Sequence, residues 1–84
     1  MNHPKIAILI PCLNEETTIG KVISEFRAEL PDAEIYVFNN NSTDNTETIA
    51  RENNAFVQNV KLRGKGNVVR RLFADIEADI YVLV

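Results

Sequence analysis

Polar and ionisable side chains that could bind a ligand follow two apolar runs of the sequence and fill one glycine-rich loop. The segment Pro11 to Glu15 comes directly after the apolar run Ile6 to Ile10. The segment Asn39 to Asp44 follows the run Ile35 to Phe38, and the loop is Gly64-Lys65-Gly66. Amides and carboxylates exchange hydrogen bonds with polar ligand groups, and a lysine beside glycines suits an anion. Whatever the protein binds, we expect Pro11 to Glu15 to contact it.

The glycine-rich loop has two interpretations that its spacing leaves open. Backbone amides at a helix start, together with Lys65, would hold a phosphate, because Gly64 and Gly66 permit close backbone approach. The same residues also suit a flexible turn with a solvated lysine. A Walker A loop is excluded by the glycine spacing and by the lack of Ser or Thr after the lysine. The dinucleotide fingerprint fails because Val69 stands where its third glycine belongs.

The acidic residues also have a purely structural interpretation. Glu15 and Asp44 are predicted in first helical turns, where the helix dipole favours negative charge. Asp44 and Glu47 have capping-box spacing, and the run Asn39 to Asn41 is consistent with a capped turn. Cys12 has no histidine near it in the sequence to lower its pKa, which disfavours it as a nucleophile. These patterns alone do not separate a binding site from helix capping.

The first two elements are predicted from the apolar pattern at the start of the chain. Ile6 to Ile10 is continuously apolar, which predicts a strand covered on both faces, with Pro11 ending its hydrogen-bond ladder. Asn14 is predicted to cap a following helix that Pro31 ends. The apolar residues of that helix recur at helical spacing and are Ile19, Val22, Ile23, Phe26 and Leu30.

The remaining segments continue the alternation of strands and helices. The predicted order is strand Ile35 to Phe38, a helix with Ile49 and Ala50 inward that closes at Asn53-Asn54, strand Ala55 to Val57, a helix with one apolar face, and strand Ile80 to Val84. The apolar face consists of Val68, Val69, Leu72, Phe73 and Ile76. This alternation predicts an α/β fold, a three-layer parallel sheet in the order 3-2-1-4. Since the carboxyl ends of parallel strands share one edge, the polar segments are expected to meet there.

Composition restricts the class of protein. The chain has 84 residues, 45% of them hydrophobic and 25% charged, as in an ordinary small globular domain. A net charge of −3 argues against a general nucleic-acid binder, although five of the nine Lys and Arg residues lie between Lys61 and Arg71, which indicates a local anion site. One cysteine and one histidine allow neither an internal disulfide nor a zinc set, so a cytoplasmic location is expected. No apolar run approaches the ~20 residues of a membrane span.

Four linked motifs resemble the start of family 2 glycosyltransferases with the Rossmann-like GT-A fold. They read Ile-Pro-Cys-Leu-Asn-Glu-Glu, Val-Phe-Asn-Asn-Asn-Ser-Thr-Asp-Asn-Thr, Arg-Gly-Lys-Gly-Asn and Ala-Asp-Ile-Tyr-Val-Leu-Val, and together they extend over the whole chain. The resemblance implies that residues 1–84 are the N-terminal nucleotide-binding part of an incomplete GT-A domain, with a nucleotide-sugar as donor substrate. The donor-binding residues that it implies are Pro11, Leu13, Asn14, Glu15, Asn39, Asn40, Asp44, Gly64 and Lys65.

The resemblance also implies roles. Pro11, Asn14 and Glu15 would line the nucleoside pocket, and Lys65 would lie near the base and phosphates. Leu13 replaces the usual aromatic residue and keeps an apolar contact. Asn39 and Asn40 stand where acidic residues of the family read base and ribose. An amide can pair with the neighbouring C=O and N–H of uracil, which favours a uridine donor.

The chain ends at Val84, where the Asp-x-Asp motif of the family would follow. In the family this motif binds Mn²⁺ or Mg²⁺ at the donor diphosphate, so neither a metal ligand nor a catalytic residue is predicted within the chain. We therefore expect an inactive donor-binding fragment. Its parent enzyme would transfer a hexose to a lipid-phosphate or polysaccharide acceptor, at the cytoplasmic face of a membrane.

Two other functions remain open from the sequence. The first alternative is a non-catalytic nucleotide-binding or oligomerising α/β module whose sheet pairs with another chain through an exposed edge. The second is a small dinucleotide-binding or P-loop domain, against which the failed fingerprints count. The partners predicted are a nucleotide-sugar, the remainder of a catalytic domain, and a second copy bound through exposed apolar surface. Neither a nucleic-acid partner nor a membrane span is expected.

Overall fold

The computed structural model of the chain describes residues 3–60 and 76–84. Its elements there are β1 (Ile6–Cys12), α1 (Ile19–Glu29), β2 (Glu34–Asn40), α2 (Thr46–Glu52), β3 (Phe56–Val60) and β4 (Ile80–Leu83). Each was predicted from the sequence, with bounds that differ by up to a few residues. The glycine-rich loop with Gly64 and Lys65, and the predicted helix after it apart from Ile76, lie outside the described residues.

The four strands form one parallel sheet in the order β3-β2-β1-β4, which confirms the predicted fold class and strand order. β1 is central, and its pairing with β2 runs from Ala7 opposite Glu34 to Cys12 opposite Asn39. The chain steps outward from β1 to β3 and then returns to the other side of β1. Ligands of open α/β sheets bind at the carboxyl ends of the strands beside such a reversal.

β1 is buried on both faces, as its unbroken apolar run predicts. One face of the sheet packs against α1 and α2, and the other carries the smaller cluster that includes Ile76. The first cluster contains Ile8, Ile10, Cys12, Ile19, Ile23, Ala33, Ile35, Val37, Ala50 and Ala55, and the second contains Ala7, Leu9, Phe38, Val60 and Ile76. The helix predicted after the glycine-rich loop, which the three-layer prediction requires, falls mostly on residues 61–75, outside the described ranges.

Pro11 lies inside β1, so the prediction that it ends the ladder is wrong. It stands opposite Phe38, and pairing continues to Cys12. Residues two apart on a parallel strand direct their backbone groups to the same neighbour, and the Leu9 carbonyl accepts a hydrogen bond from the Val84 amide on the β4 side at 3.1 Å. The Pro11 nitrogen, which carries no hydrogen, therefore faces the β4 side, beyond the residues Ile6 to Leu9 that pair with β4. Proline at this position removes no hydrogen bond to β2, and the strand continues.

The start of α1 differs from the predicted cap. α1 begins at Ile19 after the N-cap Thr18, so Asn14 is not its cap and Glu15 precedes its first turn. The Glu15 carbonyl instead accepts hydrogen bonds from the amides of Thr18, at 3.1 Å, and Ile19, at 2.9 Å, and this turn separates strand from helix. The Asn14 side chain is unavailable as a cap because it binds the loop after β2.

The predicted capping box of α2 is also wrong. Asp44 precedes the N-cap Asn45, and its Oδ1 accepts the Thr46 amide at 2.9 Å, two residues on, rather than the amide three residues on. Glu47 pairs with Arg51 one turn later, at 3.0 Å between Oε2 and Nη2. Asp44 and Glu47 therefore take part in two separate interactions and do not form one capping box.

The C-terminal ends of both helices agree with prediction. α1 ends at Glu29, just before Leu30 and Pro31, and α2 closes at Asn53-Asn54, where Asn54 has a left-handed φ of 62°. Neither α1 nor α2, the helices within the described ranges, has the length and apolarity that a membrane crossing requires.

Candidate functional site

Two polar loops meet at the carboxyl edge of the sheet. We call residues 13–18, after β1, the first loop, and residues 41–45, after β2, the second loop. Each turns sharply through an asparagine with positive φ, 52° at Asn14 and 58° at Asn41. Asparagine tolerates this left-handed conformation better than most residues. Because Cys12 and Asn39 are paired at the strand ends, the two loops start side by side.

Three successive backbone amides of the first loop donate hydrogen bonds to side chains of the second loop and of the first turn of α2. They join Asn14 N to Ser42 Oγ at 3.0 Å, Glu15 N to Thr46 Oγ1 at 2.9 Å, and Glu16 N to Asp44 Oδ2 at 3.2 Å. Amides in a strand-to-helix connection have no partner in regular secondary structure. The side chains of the second loop therefore fix the path of the first.

The second loop is held in the same way by side chains of the first. Asn14 Oδ1 accepts the Thr43 amide at 2.9 Å and the Thr43 hydroxyl at 3.4 Å. Glu16 Oε2 accepts the Asn45 amide at 3.1 Å. Asn14 is thus a scaffold residue of the site, and Glu16, which the sequence reasoning did not select, has the same role.

Thr46 lies at the centre of this network and is fully buried. Its hydroxyl accepts the Glu15 amide and donates to Asp44 Oδ1, the same carboxylate oxygen that accepts the Thr46 amide. The bond from the Thr46 hydroxyl holds the pKa of Asp44 below its usual value. Sequence reasoning missed Thr46, although a hydroxyl residue two positions after an aspartate at a helix start is typical of such turns.

Asn39 is also buried, with 4% of its surface exposed. Its Nδ2 donates to Asn59 Oδ1 at 2.9 Å, and its Oδ1 accepts the Ser42 amide at 3.3 Å. Asn59 in turn hydrogen-bonds Glu47, and Asn59 and Arg51 together hold the pKa of Glu47 below its usual value. A carboxylate only accepts, so Asn59 turns its NH₂ to Glu47 and its oxygen to Asn39. This series of hydrogen bonds fixes the orientation of the Asn39 amide. The sequence analysis did not predict the role of Asn59.

Negative charge gathers around the end of β1. Burial, together with the smaller effects of the Glu15 and Asp44 carboxylates, raises the pKa of the Cys12 thiol to about 11. Glu15 Oε2 accepts the Thr18 hydroxyl at 3.1 Å, which orients this carboxylate at the loop surface. Cys12 therefore stays a neutral thiol, unsuited to nucleophilic attack at neutral pH.

The structure brings most of the predicted site residues to one edge but not to equal depth. Pro11, Leu13 and Glu15 are exposed, Leu13 by 54%, whereas Asn39 is buried and Asn40, the last residue of β2, is half-buried. Pro11 and Glu15 also line a cavity of about 200 Å³ beside α1. Among residues 3–60 and 76–84, no three His, Cys, Asp or Glu side chains are grouped so as to hold a metal ion.

The family model described as Glycosyl transferase family 2 matches residues 7–84. The chain is 56% identical over 79 residues to "Protein RfbJ" of Shigella flexneri, and the match covers 94% of this chain and 61% of RfbJ. It is 39% identical over 74 residues to the "Low-salt glycan biosynthesis hexosyltransferase Agl6" of Haloferax volcanii, covering 84% of this chain and 17% of Agl6.

A solved structure shares the fold at high similarity. It is the glucosyl-3-phosphoglycerate synthase of Mycobacterium tuberculosis, in complex with Mn²⁺, uridine diphosphate and glucosyl-3-phosphoglycerate. The TM-score is 0.84 at 33% sequence identity, and the match covers 96% of this chain and 33% of the synthase chain. The chain thus spans about three fifths of RfbJ and one third or less of the other two proteins.

Proposed function

The chain belongs to glycosyl transferase family 2, and from that membership we propose that residues 1–84 form the nucleotide-sugar-binding part of a glycosyltransferase domain. The observation that carries the proposal is the pair of interlocked polar loops at the carboxyl edge of the sheet. They lie beside the point where the strand order reverses, which is where open α/β sheets bind nucleotides. The uridine diphosphate in the mycobacterial relative supports the same class of ligand.

Within this site, the exposed residues would contact the nucleoside. Pro11 and Leu13 offer apolar surface to the base, and the Glu15 carboxylate, held by Thr18, accepts hydrogen bonds from ribose hydroxyls. Asn14 and Asp44 act on the ligand by fixing these neighbours, because their side-chain oxygens already bind the opposite loop. Asn40 completes the nucleoside side of the site.

Asn39 has 4% of its surface exposed, and its amide is held by Asn59 and Ser42, so its proposed role is to support the base-binding surface from beneath. The uridine diphosphate bound by the mycobacterial relative supports a uridine donor. The phosphates are proposed to lie near Gly64 and Lys65.

A divalent cation would neutralise the diphosphate in the whole enzyme, as Mn²⁺ accompanies uridine diphosphate in the mycobacterial relative. The residues that the structure describes do not fit a metal ion, because none of their carboxylates form a ligand group. The binding role proposed for this chain therefore does not depend on a metal held by those residues.

The reaction of the whole protein is proposed as transfer of a hexose from a nucleotide-sugar to a lipid-phosphate or polysaccharide acceptor, at the cytoplasmic face of a membrane. The hexosyltransferase name of the Haloferax relative supports the transferred group.

Nucleotide titration tests the proposed function. Uridine diphosphate, guanosine diphosphate, NAD and ATP are added separately to the chain while binding heat and backbone amide shifts are recorded. We expect uridine diphosphate to bind best and to shift the amides of residues 13–16. Equal affinity for the two diphosphates would refute the uridine preference. Binding of none of these ligands by a chain whose size rises with concentration would support an oligomerising module instead.

The variant Glu15→Gln tests the assigned contact. Removing one charge-assisted hydrogen bond is expected to weaken uridine diphosphate binding by roughly 10-fold or more. Glu25→Gln is the matched control, because Glu25 lies on the exposed side of α1 and pairs with Lys21 at 3.8 Å. If both variants bind as tightly as the unsubstituted chain, Glu15 does not contact the ligand.

A further inference from the structure

We propose that Thr46 is the positioning residue of this site, whose hydroxyl joins Glu15 to Asp44, sets the distance between the two loops and so places Glu15 for the nucleotide. The inference rests on the proposed function and deepens it. Thr46 opens α2 and contacts no ligand itself in this arrangement, because its side chain is fully buried beneath the loops. Its effect on binding passes through the residues it holds.

The Thr46 hydroxyl is a junction between the two loops, because it forms a hydrogen bond to a residue of each. A hydroxyl donates one proton and accepts at its lone pairs, so it can link an amide to a carboxylate. Here it accepts from the Glu15 amide at 2.9 Å and donates to Asp44. The bond between Asn14 and Ser42 joins the same loops but is exposed to water. Water can replace a partner in an exposed bond, whereas a buried one leaves unsatisfied groups when it is lost.

The carboxylate end of this junction, Asp44, is stabilised by hydrogen-bond donors. Asp44 Oδ2 accepts the Glu16 amide at 3.2 Å, and the carboxylates of both Glu15 and Asp44 raise the pKa of the nearby Cys12 thiol. Hydrogen-bond donors stabilise the ionised Asp44, and the Thr46 hydroxyl is the strongest contributor to its lowered pKa. The backbone amides of Thr46 and Glu16 add to it.

Two substitutions separate the hydroxyl from the shape of the side chain. Thr46→Val keeps the volume and removes the hydroxyl, and Thr46→Ser keeps the hydroxyl and removes a methyl group. We expect Thr46→Val to weaken uridine diphosphate binding by tenfold or more and Thr46→Ser to stay within about threefold of the unsubstituted chain. Thr48→Val is the matched control on α2, because Thr48 is exposed and takes no part in the bonds between the two loops, and it is expected to change affinity less than twofold.

A second measurement needs no nucleotide. Carboxyl NMR titration should show the pKa of Asp44 rising in Thr46→Val and returning in Thr46→Ser, and the Glu15 amide should exchange faster with solvent in Thr46→Val alone. A general loss of stability would not produce this selective pattern with rescue by serine. If Thr46→Val fails to fold, Thr46→Ala replaces it, because the smaller side chain admits water to the vacated position.

The outcomes separate this inference from the proposed function. If the unsubstituted chain binds uridine diphosphate and Thr46→Val binds it within threefold, the positioning role is overturned and the proposed function stands. If the unsubstituted chain binds no nucleotide, the proposed function is refuted, and the role of Thr46 as a junction is tested by the Asp44 titration alone. An unchanged Asp44 pKa in Thr46→Val would then overturn it too.

Discussion

The orientation of the Asn39 amide depends on three neighbours rather than on Asn39 itself. Glu47 accepts from Asn59, Asn59 therefore presents its oxygen to Asn39, and Asn39 presents its own oxygen to the Ser42 amide. In the motif that this chain resembles, an aspartate stands where the chain has Asn39. A carboxylate there would face the oxygen of Asn59, so the asparagine suits this particular set of partners.

Asn39→Asp is expected to lower the free energy of unfolding at pH 7 by about 2 kcal/mol or more, because a buried carboxylate would face an acceptor. Burial raises the folded-state pKa of the introduced carboxyl above its unfolded value of about 3.9. The loss should therefore be small below about pH 4 and grow as the pH rises through the folded pKa. Urea unfolding over a pH series measures it.

Two further variants check this explanation. Gln58→Glu makes the same change from amide to carboxylate on an exposed residue of β3 and should alter stability by less than about 0.5 kcal/mol. Adding Glu47→Gln to Asn39→Asp lets Asn59 reverse its amide, and part of the lost stability should return. A loss that is independent of pH would count against a buried carboxylate as its cause.

Cys12 is the second residue whose ionisation the fold controls. Its pKa is raised from 9.0 to about 11, first by burial and then by Glu15 and Asp44. Alkylation by iodoacetamide at pH 8 should therefore be much slower in the folded chain than in urea. Since the folded-state pKa is the higher one, the contribution of the thiol to stability is complete below about pH 9 and is lost as the pH rises through 11.

The unfolding free energies of the chain and of Cys12→Ala, measured between pH 8 and pH 11, isolate this effect. The substitution lowers stability by a constant amount through the cavity it leaves, and it removes the thiol titration. The pH-dependent part of the difference should reach roughly 2 kcal/mol. Equal alkylation rates in the folded and unfolded chain would show that the thiol is not buried in solution.

At the scale of elements, α1 and α2 are held together by a close contact at Gly20 and by hydrogen bonds from Arg27, which we call the clamp. A Cβ at Gly20 would lie 3.3 Å from Ile49 Cγ2 and 3.4 Å from Asn53 Nδ2, so the helices meet where α1 has no side chain. Arg27 Nη2 donates to the carbonyls of Asn53 at 3.0 Å and Asn54 at 3.3 Å. The clamp satisfies carbonyls at the end of α2 that the helix leaves free. This packing sets where α2, and with it Thr46, stands relative to the first loop.

Gly20→Leu is expected to lower the free energy of unfolding by about 1–3 kcal/mol, because the larger side chain would separate the helices. Gly20→Ala should lie within about 1 kcal/mol of the unsubstituted chain, because the gain in helix propensity offsets the tight contact. Lys21→Leu, on the exposed side of α1, controls for a leucine in this helix. Stabilisation by Gly20→Leu in urea unfolding would show that the helices do not meet at this residue.

At the scale of the whole molecule, the two outer strands of the sheet that residues 3–60 and 76–84 form expose large apolar side chains. Phe56 on β3 is 58% exposed and stacks on Tyr36 with ring centroids 5.1 Å apart, and on β4 Ile80 is 44% and Leu83 48% exposed. Outer strands with exposed apolar side chains favour pairing with another chain. Either a second copy or the remainder of a catalytic domain, the two macromolecular partners predicted from the sequence, would cover such surfaces.

We predict that the chain associates with itself as its concentration rises, which sedimentation velocity would show as an increasing sedimentation coefficient. Leu83→Lys and Phe56→Lys place a charge on opposite edges and serve as controls for each other. The variant that restores a constant coefficient identifies the edge that pairs. A coefficient independent of concentration in the unsubstituted chain would contradict the prediction.

The sequence by itself determined the elements, their order and the edge of the sheet where the polar segments lie. Those features follow from local patterns: the unbroken apolar run of β1, the helical spacing in α1, and the polar cluster after Phe38 that cannot continue a buried strand. Parallel strands joined by helices then allow few topologies. Most of the fold over the described residues was therefore predictable.

Only the tertiary structure decided which predicted residues are accessible and which hold the scaffold. Pro11 stays within β1 because its nitrogen faces the β4 side, Asn14 binds Thr43 instead of capping α1, and Asn39 is buried against Asn59. Each outcome depends on residues about 20 or more positions away in the chain, which local patterns do not specify. Thr46 is a junction for the same reason: its hydroxyl meets Glu15 only because the sheet brings the two loops together.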